Sequence, residues 1–224
     1  MGNDRQSIET NAIYHLTTRG NNQRILFSYP RDYRFFLRAL GRALNRVRSV
    51  SIYQLTLMKN HIHLLARTTK PGGISGIMKR SCQEYARWRN EQRGSSGKLF
   101  ERRFYSERLD TLRSVAFATL YNDSNGVRGG VVATAEEHRW SSVGHHAGRP
   151  ELSAIPRGLL SPNPWIMELG TSSSAREAAY RTLLQMYVAG KRDAHPSKFV
   201  RVAEERSKKR PSHRVTRPSG KSAR

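Results

Sequence analysis

Residues 12–18, AIYHLTT, alternate well enough to predict a first strand, and the RGNNQ that follows carries the Gly and Asn of a turn. From Asp32 onward the period lengthens. Phe35, Phe36, Ala39, Leu40, Ala43, Leu44 and Val47 recur at helical spacing, while Arg34, Arg38, Arg42, Arg46 and Arg48 cover much of the remaining surface of an amphipathic helix. Two β-type runs, SIYQLTLM (51–58) and HIHLLAR (61–67), are separated only by Lys59 and Asn60 and read as a hairpin, which TKPGG then ends. Ile74, Ile77, Met78, Ser81, Tyr85 and Trp88 form the stripe of a second helix closing near RGSSG (93–97). KLFERRFYSERL supplies a further strand. DTLRSVAFATLYNDSNG follows as a third helix, with Asp110 as N-cap and Gly126 as stop. The order is the βαββαβ split of an α+β, ferredoxin-like sandwich with an antiparallel sheet, followed by a helix that carries Tyr121.

After RWSSVGHHAGRP the composition changes: Pro and Ser punctuate the chain to about residue 174, and AREAAYRTLLQMYVAG predicts one more helix. Residues 191–224 hold 12 Lys and Arg against 3 acids, with Pro196, Pro211 and Pro218 among few large apolar residues. This basic extension is expected to be disordered alone and to order on a polyanion. The expected division is 1–148 for a catalytic domain, 149–190 for a Pro/Ser-rich segment with a helix, and 191–224 for the tail. Across all 224 residues, 40 Lys and Arg against 17 Asp and Glu leave a formal charge of +23, which makes nucleic acid the leading partner. A membrane is the rival, but no apolar run reaches the roughly 20 residues of a spanning helix, and the N-terminus lacks a signal-peptide core. The single cysteine, Cys82, excludes an internal disulfide and a Cys-rich zinc site. The expectation is a soluble, cytoplasmic protein.

Residues two apart on a strand share a face, so His61 and His63 project together with Cα atoms roughly 7 Å apart, while Ile62 and Leu64 face the other way. That is good geometry for two ligands on one ion. An HxH pair alone more often marks a sheet face among solvent or hydrogen-bond partners, so the chemistry needs further groups. Structural zinc would require two more Cys or His at regular spacing, and His145 and His146 fall in a predicted loop. An open site of mixed N and O donors suits the composition better, with Mg or Mn as the ion. No paired carboxylates accompany the histidines, which turns attention to the nine tyrosines as phosphodiester nucleophiles. Tyr85 lies on an apolar stripe and reads as a core aromatic. Tyr121 lies away from the Leu112, Val115, Ala116 and Thr119 stripe, and Asn125 at i+4 offers a neutral carbonyl oxygen. A helix Tyr with Asn at i+4 is, without further context, more often coincidence than site.

YHLTTRGNNQ, LMKNHIHLLART, GSSGKLFERRF, YNDSNGVRGGVV and RWSSVGHH, in this order over roughly residues 12–148, resemble the REP-associated tyrosine transposases, within the single-tyrosine HUH (IS200-like) transposases. The resemblance implies that His61, Ile62 and His63 are the His-hydrophobic-His motif. Against a family pattern usually like Tyr-Ile-His-Leu-Asn-Pro-Val-Arg-Ala-Gly, YNDSNGVRGG keeps Tyr121, Asn125, Val127, Arg128 and Gly130. It departs at Asn122, Asp123, Ser124 and Gly126. The resemblance implies Tyr121 as nucleophile and a divalent metal held by His61, His63 and Asn125. It implies single-stranded DNA with palindromic hairpins as substrate, and a 5′-phosphotyrosine intermediate. A monomer or homodimer is expected.

Arg19, Asn21 and Asn22 after the first strand, Arg102 and Arg103 between Phe100 and Phe104, and Arg128 are the candidate DNA contacts. Ordinary readings stand beside them: a solvated turn at 19–22, and core phenylalanines with solvated arginines at 100–104. Trp140 is expected to pack its segment back onto the sheet. Two other functions remain open at this point, a non-catalytic single-stranded DNA or RNA binding protein and a replication or relaxase-type HUH nuclease.

Overall fold

A computed structural model describes residues 8–101 and 103–190. Its elements are β1 (Ile13–Arg19), α1 (Pro30–Val47), β2 (Val50–Met58), β3 (His61–Thr68), α2 (Gly73–Glu91), β4 (Tyr105–Leu109), α3 (Leu112–Asp123), α4 (Asn125–Arg128), α5 (Val143–His146), α6 (Pro164–Met167) and α7 (Ser173–Ala189). The four strands form one antiparallel sheet in the order β2-β3-β1-β4, so the sandwich read from the sequence is the fold found. The C-terminal tail lies outside the described residues.

α1 starts slightly ahead of its apolar stripe because Pro30 supplies a preset first turn, and the buried Asp32 carboxylate accepts from the backbone of Ser28 at 2.8 Å and Tyr29 at 3.1 Å. The β2–β3 hairpin turns on Lys59 and Asn60, whose carbonyls accept from Leu26, Phe27 and Gly20 at 2.9–3.0 Å. Loop 20–27 is thereby fastened beside the HxH strand. Gly20 is required there, since a Cβ would lie 1.9 Å from the Arg24 carbonyl oxygen.

Strand alternation divides the sheet into two unlike faces. Tyr14, Leu16, Leu55, Leu57, Ile62, Leu64 and Ala66 point toward α1 and α2, where they meet Phe36, Leu40, Ile74, Ile77, Met78 and Tyr85 in the main core. Ile62 and Leu64 are wholly buried, which is the expected partner role for the residues between and beyond the two histidines. The opposite face carries a much smaller apolar cluster, Tyr53, Leu65, Leu109 and Val115, under α3. Tyr85 is a core aromatic whose hydroxyl donates to the Leu26 carbonyl at 2.6 Å.

Three expectations need correction. The fourth strand is confined to Tyr105–Leu109, with Leu99 and Phe100 packed in or against the main core instead. The third helix is capped by Thr111, whose side chain accepts from the Ser114 N–H, rather than by Asp110. That helix also stops at Asp123: Ser124 donates its hydroxyl to the Tyr121 carbonyl at 2.9 Å, and a separate turn, α4, begins at Asn125. A side-chain hydroxyl that bonds back into its own turn competes with the helical ladder.

The segment after β4 wraps this broken helix. Tyr180, Leu184 and Tyr187 of α7 join Leu120, Val143, Ala147 and Ile166 in a second core on the side of α3 away from the main one. His145 and His146 therefore sit on the short helix α5, not in a loop. Trp140 packs back as expected, its ring stacked on Tyr33 at 4.4 Å and its carbonyl accepting from Leu57 N. No helix among the described residues is long and apolar enough to cross a membrane.

Candidate active site

His61 and His63 lie on the polar sheet face, at register positions opposite Arg19 and Thr17 of β1 and opposite Met58 and Thr56 of β2. Their ring centroids are 4.8 Å apart. Each ring commits Nδ1 to the protein: His61 to Asn60 Oδ1 at 2.7 Å, and His63 to His15 Nε2 at 3.0 Å with Thr17 Oγ1 at 3.2 Å. Fixing Nδ1 sets the ring orientation and leaves Nε2 as the nitrogen available to a ligand. Burial pushes the His61 pKa down to about 4, with Arg19 adding to the fall. Burial, then His15, His61 and Arg19, pushes His63 down to about 2. Both imidazoles are therefore neutral at pH 7, the form that binds metal.

His15 is a site residue that the sequence reading passed over. It stacks on His63 with centroids 5.2 Å apart, and its Nδ1 lies 3.9 Å from Glu107 Oε2 on β4. Burial lowers its pKa despite the opposing Glu107 charge. The available signal was the alternation of AIYHLTT, which places His15 and Thr17 on one face. Only the β1–β3 register puts that face beside the HxH pair.

Tyr121, at the end of α3, brings its ring within 6.0 Å of His63 and 6.5 Å of His15, edge-on to both. Arg128 lies over the Tyr121 ring at 4.7 Å from its centroid. The ring opens onto a cavity of about 740 Å³ whose walls include His15, Thr17, Arg19, His63, Arg103 and Tyr105. Asn125 follows as the first residue of α4, 7% exposed, with its Nδ2 lacking any hydrogen-bond partner among the described residues. An amide buried with one end unpaired fits a ligand that is not protein, and which end points at it is an assignment of the side-chain flip. Among the described residues no group of three or more His, Cys, Asp or Glu is arranged to hold a metal. Neutral imidazole nitrogens and an amide oxygen are donor types that suit a divalent ion.

The departures from the family pattern have local causes. Asp123 is fully buried and its carboxylate accepts from His146 Nδ1 at 2.7 Å, the Tyr180 hydroxyl at 2.5 Å, Gln54 Nε2 at 3.0 Å and Ser141 Oγ at 3.1 Å. Burial raises its pKa, but the His146 charge and the hydrogen bonds from His146, Tyr180 and Gln54 outweigh that, and the net shift is downward. Asn122 donates to Gln54 Oε1 at 3.0 Å. At Gly126 an added Cβ would stand 2.9 Å from the His138 ring and from Val132, so the turn leaves room for no side chain.

Of the remaining candidates, Arg19 and Arg103 line the cavity, and Arg103 also donates to Ser75 Oγ at 3.0 Å. Asn21 and Asn22 occupy a short 3-10 turn beyond β1, with Asn22 in the left-handed region at φ 49°, and are not among the cavity walls. Phe100 and Phe104 pack against the main core, the apolar role weighed for them. Arg102 lies outside the described residues.

Residues 9–118 match the family model described as "Transposase IS200 like". The solved structure of a REP-associated tyrosine transposase bound to a REP hairpin is similar to this chain, with TM-score 0.56, 17% identity, and 69% of this chain and 90% of that one covered. No curated protein matches in sequence. Over residues 9–118, 110 of the 224, the chain is thus similar to the IS200-like transposases, and its fold is that of the REP-associated tyrosine transposase. Tyr121, Asn125 and Arg128 lie past the matched span, so their roles rest on the geometry around them.

Proposed function

We propose that this protein is a metal-dependent single-stranded DNA endonuclease and strand transferase acting on palindromic, REP-like elements through a covalent 5′-phosphotyrosine. The observation that carries the reading is the Tyr121 ring edge-on to His63 at 6.0 Å, over a cavity that also presents Arg19 and Arg103. His61, His63 and Asn125 would hold the divalent ion, Mg or Mn. Such an ion, when bound, withdraws charge from a phosphodiester oxygen and makes its phosphorus attackable.

The protein's own groups do the rest. Arg19 and Arg103 take the flanking phosphates, holding the strand across the cavity. The Tyr121 oxygen bonds to phosphorus as the bond to the 3′ oxygen breaks; the phenol gives up its proton and the departing 3′ oxygen takes one up. Arg128 places a fixed positive charge beside the ring where negative charge builds. The tyrosyl ester conserves the energy of the broken bond, so a second 3′-hydroxyl reseals the strand without a nucleotide cofactor. His15 keeps the His63 ring oriented from behind.

The decisive experiment incubates the protein with an end-labelled, palindrome-bearing single strand and Mn or Mg, then resolves covalent adducts on a denaturing gel. The native chain is expected to form an adduct. Tyr121→Phe should lower its yield on the order of 10⁴-fold or more. An adduct that survives Tyr121→Phe overturns the assignment, and a native chain that binds the DNA but never reacts indicates a binding protein.

A further inference from the structure

β2 changes parity once along its length. Ile52, Leu55 and Leu57 all join the main core, yet strict alternation would set residues 52 and 55 on opposite faces. A bulge resolves the conflict: pairing with β3 passes from Ile52–Ala66 directly to Gln54–Leu65, which leaves Tyr53 as the extra residue. Tyr53 and Gln54 consequently share the face that carries the histidines, Tyr53 in the small apolar cluster under α3 and Gln54 against the end of that helix. Gln54 is wholly buried, and both of its polar atoms are bonded. Its Nε2 donates to Asp123 Oδ1 at 3.0 Å and to Thr56 Oγ1 at 2.6 Å, and its Oε1 accepts from Asn122 Nδ2 at 3.0 Å. One amide thus holds both residues that follow Tyr121, accepting from the first and donating to the second. Thr56, its third partner, stands opposite His63 in the β2–β3 register. Nearer the start of α3 the contact with the sheet is apolar, through Val115 and Ala118. At the Tyr121 turn Gln54 supplies a polar one.

We propose that Gln54 is a positioning residue for the reaction: its clamp on Asn122 and Asp123 holds the Tyr121 ring edge-on to His63. The inference rests on the reading of Tyr121 as the nucleophile. Successive helix residues lie about 100° apart, so bonds from one amide to two of them fix the rotation of the last turn as well as its height above the sheet. A single bond would fix height alone. Rotation matters because a turn of about 20° carries a ring roughly 6 Å from the axis through about 2 Å. Misplacement by about 1 Å is enough to cost on the order of 100-fold in rate. The helical ladder does not supply this constraint to both groups, since α3 ends at Asp123 and Asn125 opens a separate turn. An apolar residue at 54 would fill the space without choosing a direction, whereas a fully bonded buried amide specifies one arrangement. The clamp also gives the departures at Asn122 and Asp123 a common reason: the Gln54 amide needs a donor beside its oxygen and an acceptor beside its nitrogen.

The test compares Gln54→Met, which keeps the length of the side chain and removes its hydrogen bonds, with Leu40→Ala in the main core, which lowers stability without touching the clamp. A third variant joins Gln54→Glu to Asp123→Asn. The carboxylate then accepts from Asn122 and from the amide now at 123, and the Thr56 and Ser141 hydroxyls reverse to suit. All are measured below the onset of melting. The first readout is the nuclear Overhauser effect between the Tyr121 and His63 rings in protein free of metal and DNA; the second is adduct formation against DNA concentration. In Gln54→Met the ring-to-ring effect should vanish and the adduct rate at saturating DNA should fall about 10- to 100-fold, with the half-saturating concentration changed by less than about 3-fold. Leu40→Ala should keep both signals, and the exchanged pair should regain both where Gln54→Glu alone does not. Should Gln54→Met not fold, Asn122→Ala, which removes one arm of the clamp, takes its place with the same expectations. An unchanged ring-to-ring effect, an unchanged rate, equal losses in Leu40→Ala, or an exchanged pair that recovers neither signal overturns the proposal. The Overhauser effect requires no chemistry, so a native chain that shows it but forms no adduct refutes the catalytic reading of Tyr121, while its loss in Gln54→Met still upholds the clamp.

Discussion

The two faces of the sheet are made by the same strands and do opposite things. In HIHLL, Ile62 and Leu64 are sealed against α1 and α2, whereas His61 and His63 face the polar side, His63 beside His15 on the wall of a cavity. One face holds a continuous apolar cluster from three strands and two helices; the other has four apolar core residues and fills its remaining positions with histidine, threonine and arginine. The difference teaches that stability and chemistry are separated here by strand parity rather than by distance along the chain. Adjacent residues belong to different tasks.

The largest expected effect tests that division most directly. His63→Leu should reduce covalent adduct formation by at least about 100-fold, while its melting temperature stays at or above the native value because a buried imidazole gives way to an apolar side chain. Loss of the fold in this variant would break the separation of tasks. Asp123→Ala would show that the polar face has a structural part of its own: four donors, three of them fully buried, lose their acceptor, and chemical denaturation should register a loss of about 3–5 kcal/mol. A loss under about 1 kcal/mol would mean that the network contributes only orientation. On the apolar face, Ile62→Ala should cost about 2–5 kcal/mol by the same measurement, with the adduct rate of the folded fraction nearly unchanged.

The least local effect is the acid dependence of stability. His61 and His138, each pushed down to about 4 chiefly by burial, and His63, down to about 2, bind protons less readily folded than unfolded. Below the unfolded value near 6.5 the unfolded chain takes up protons that the folded chain refuses, so stability is complete above about pH 6.5 and declines from there toward pH 4. Melting of the metal-free protein should fall steadily over that interval. Replacing His61 and His63 together by Leu should flatten the profile; an unchanged slope would place its origin elsewhere.

Local pattern was enough for the sandwich, because each strand and helix has a regular period: the HxH strand, the arginine-rich α1 and the Tyr85 stripe all stand where their spacing puts them. What stayed illegible depends on long-range pairing or on competition between bonds. His15 becomes part of the site only through the register that sets Thr17 opposite His63. The end of α3 at Asp123 depends on the Ser124 hydroxyl holding the Tyr121 carbonyl, a choice that helical periodicity does not reveal. Asp123 itself reads in the sequence as a departure from a motif. It becomes explicable only when Gln54, then Ser141 with His146, and Tyr180 arrive from three separate parts of the chain.

That carboxylate also sets where the molecule can be cut. Two of its four donors belong to β2 and the segment just before α5, but Tyr180 comes from α7, well beyond the span shared with the IS200-like transposases. A shortened version ending near residue 148 would keep the histidines and the tyrosine, yet expose Leu120 and withdraw a buried hydroxyl from the residue two places after Tyr121. Anyone grafting this histidine–tyrosine unit onto another module has to carry α7 with it, and to attach the fusion after Gly190 rather than at the end of the shared motif.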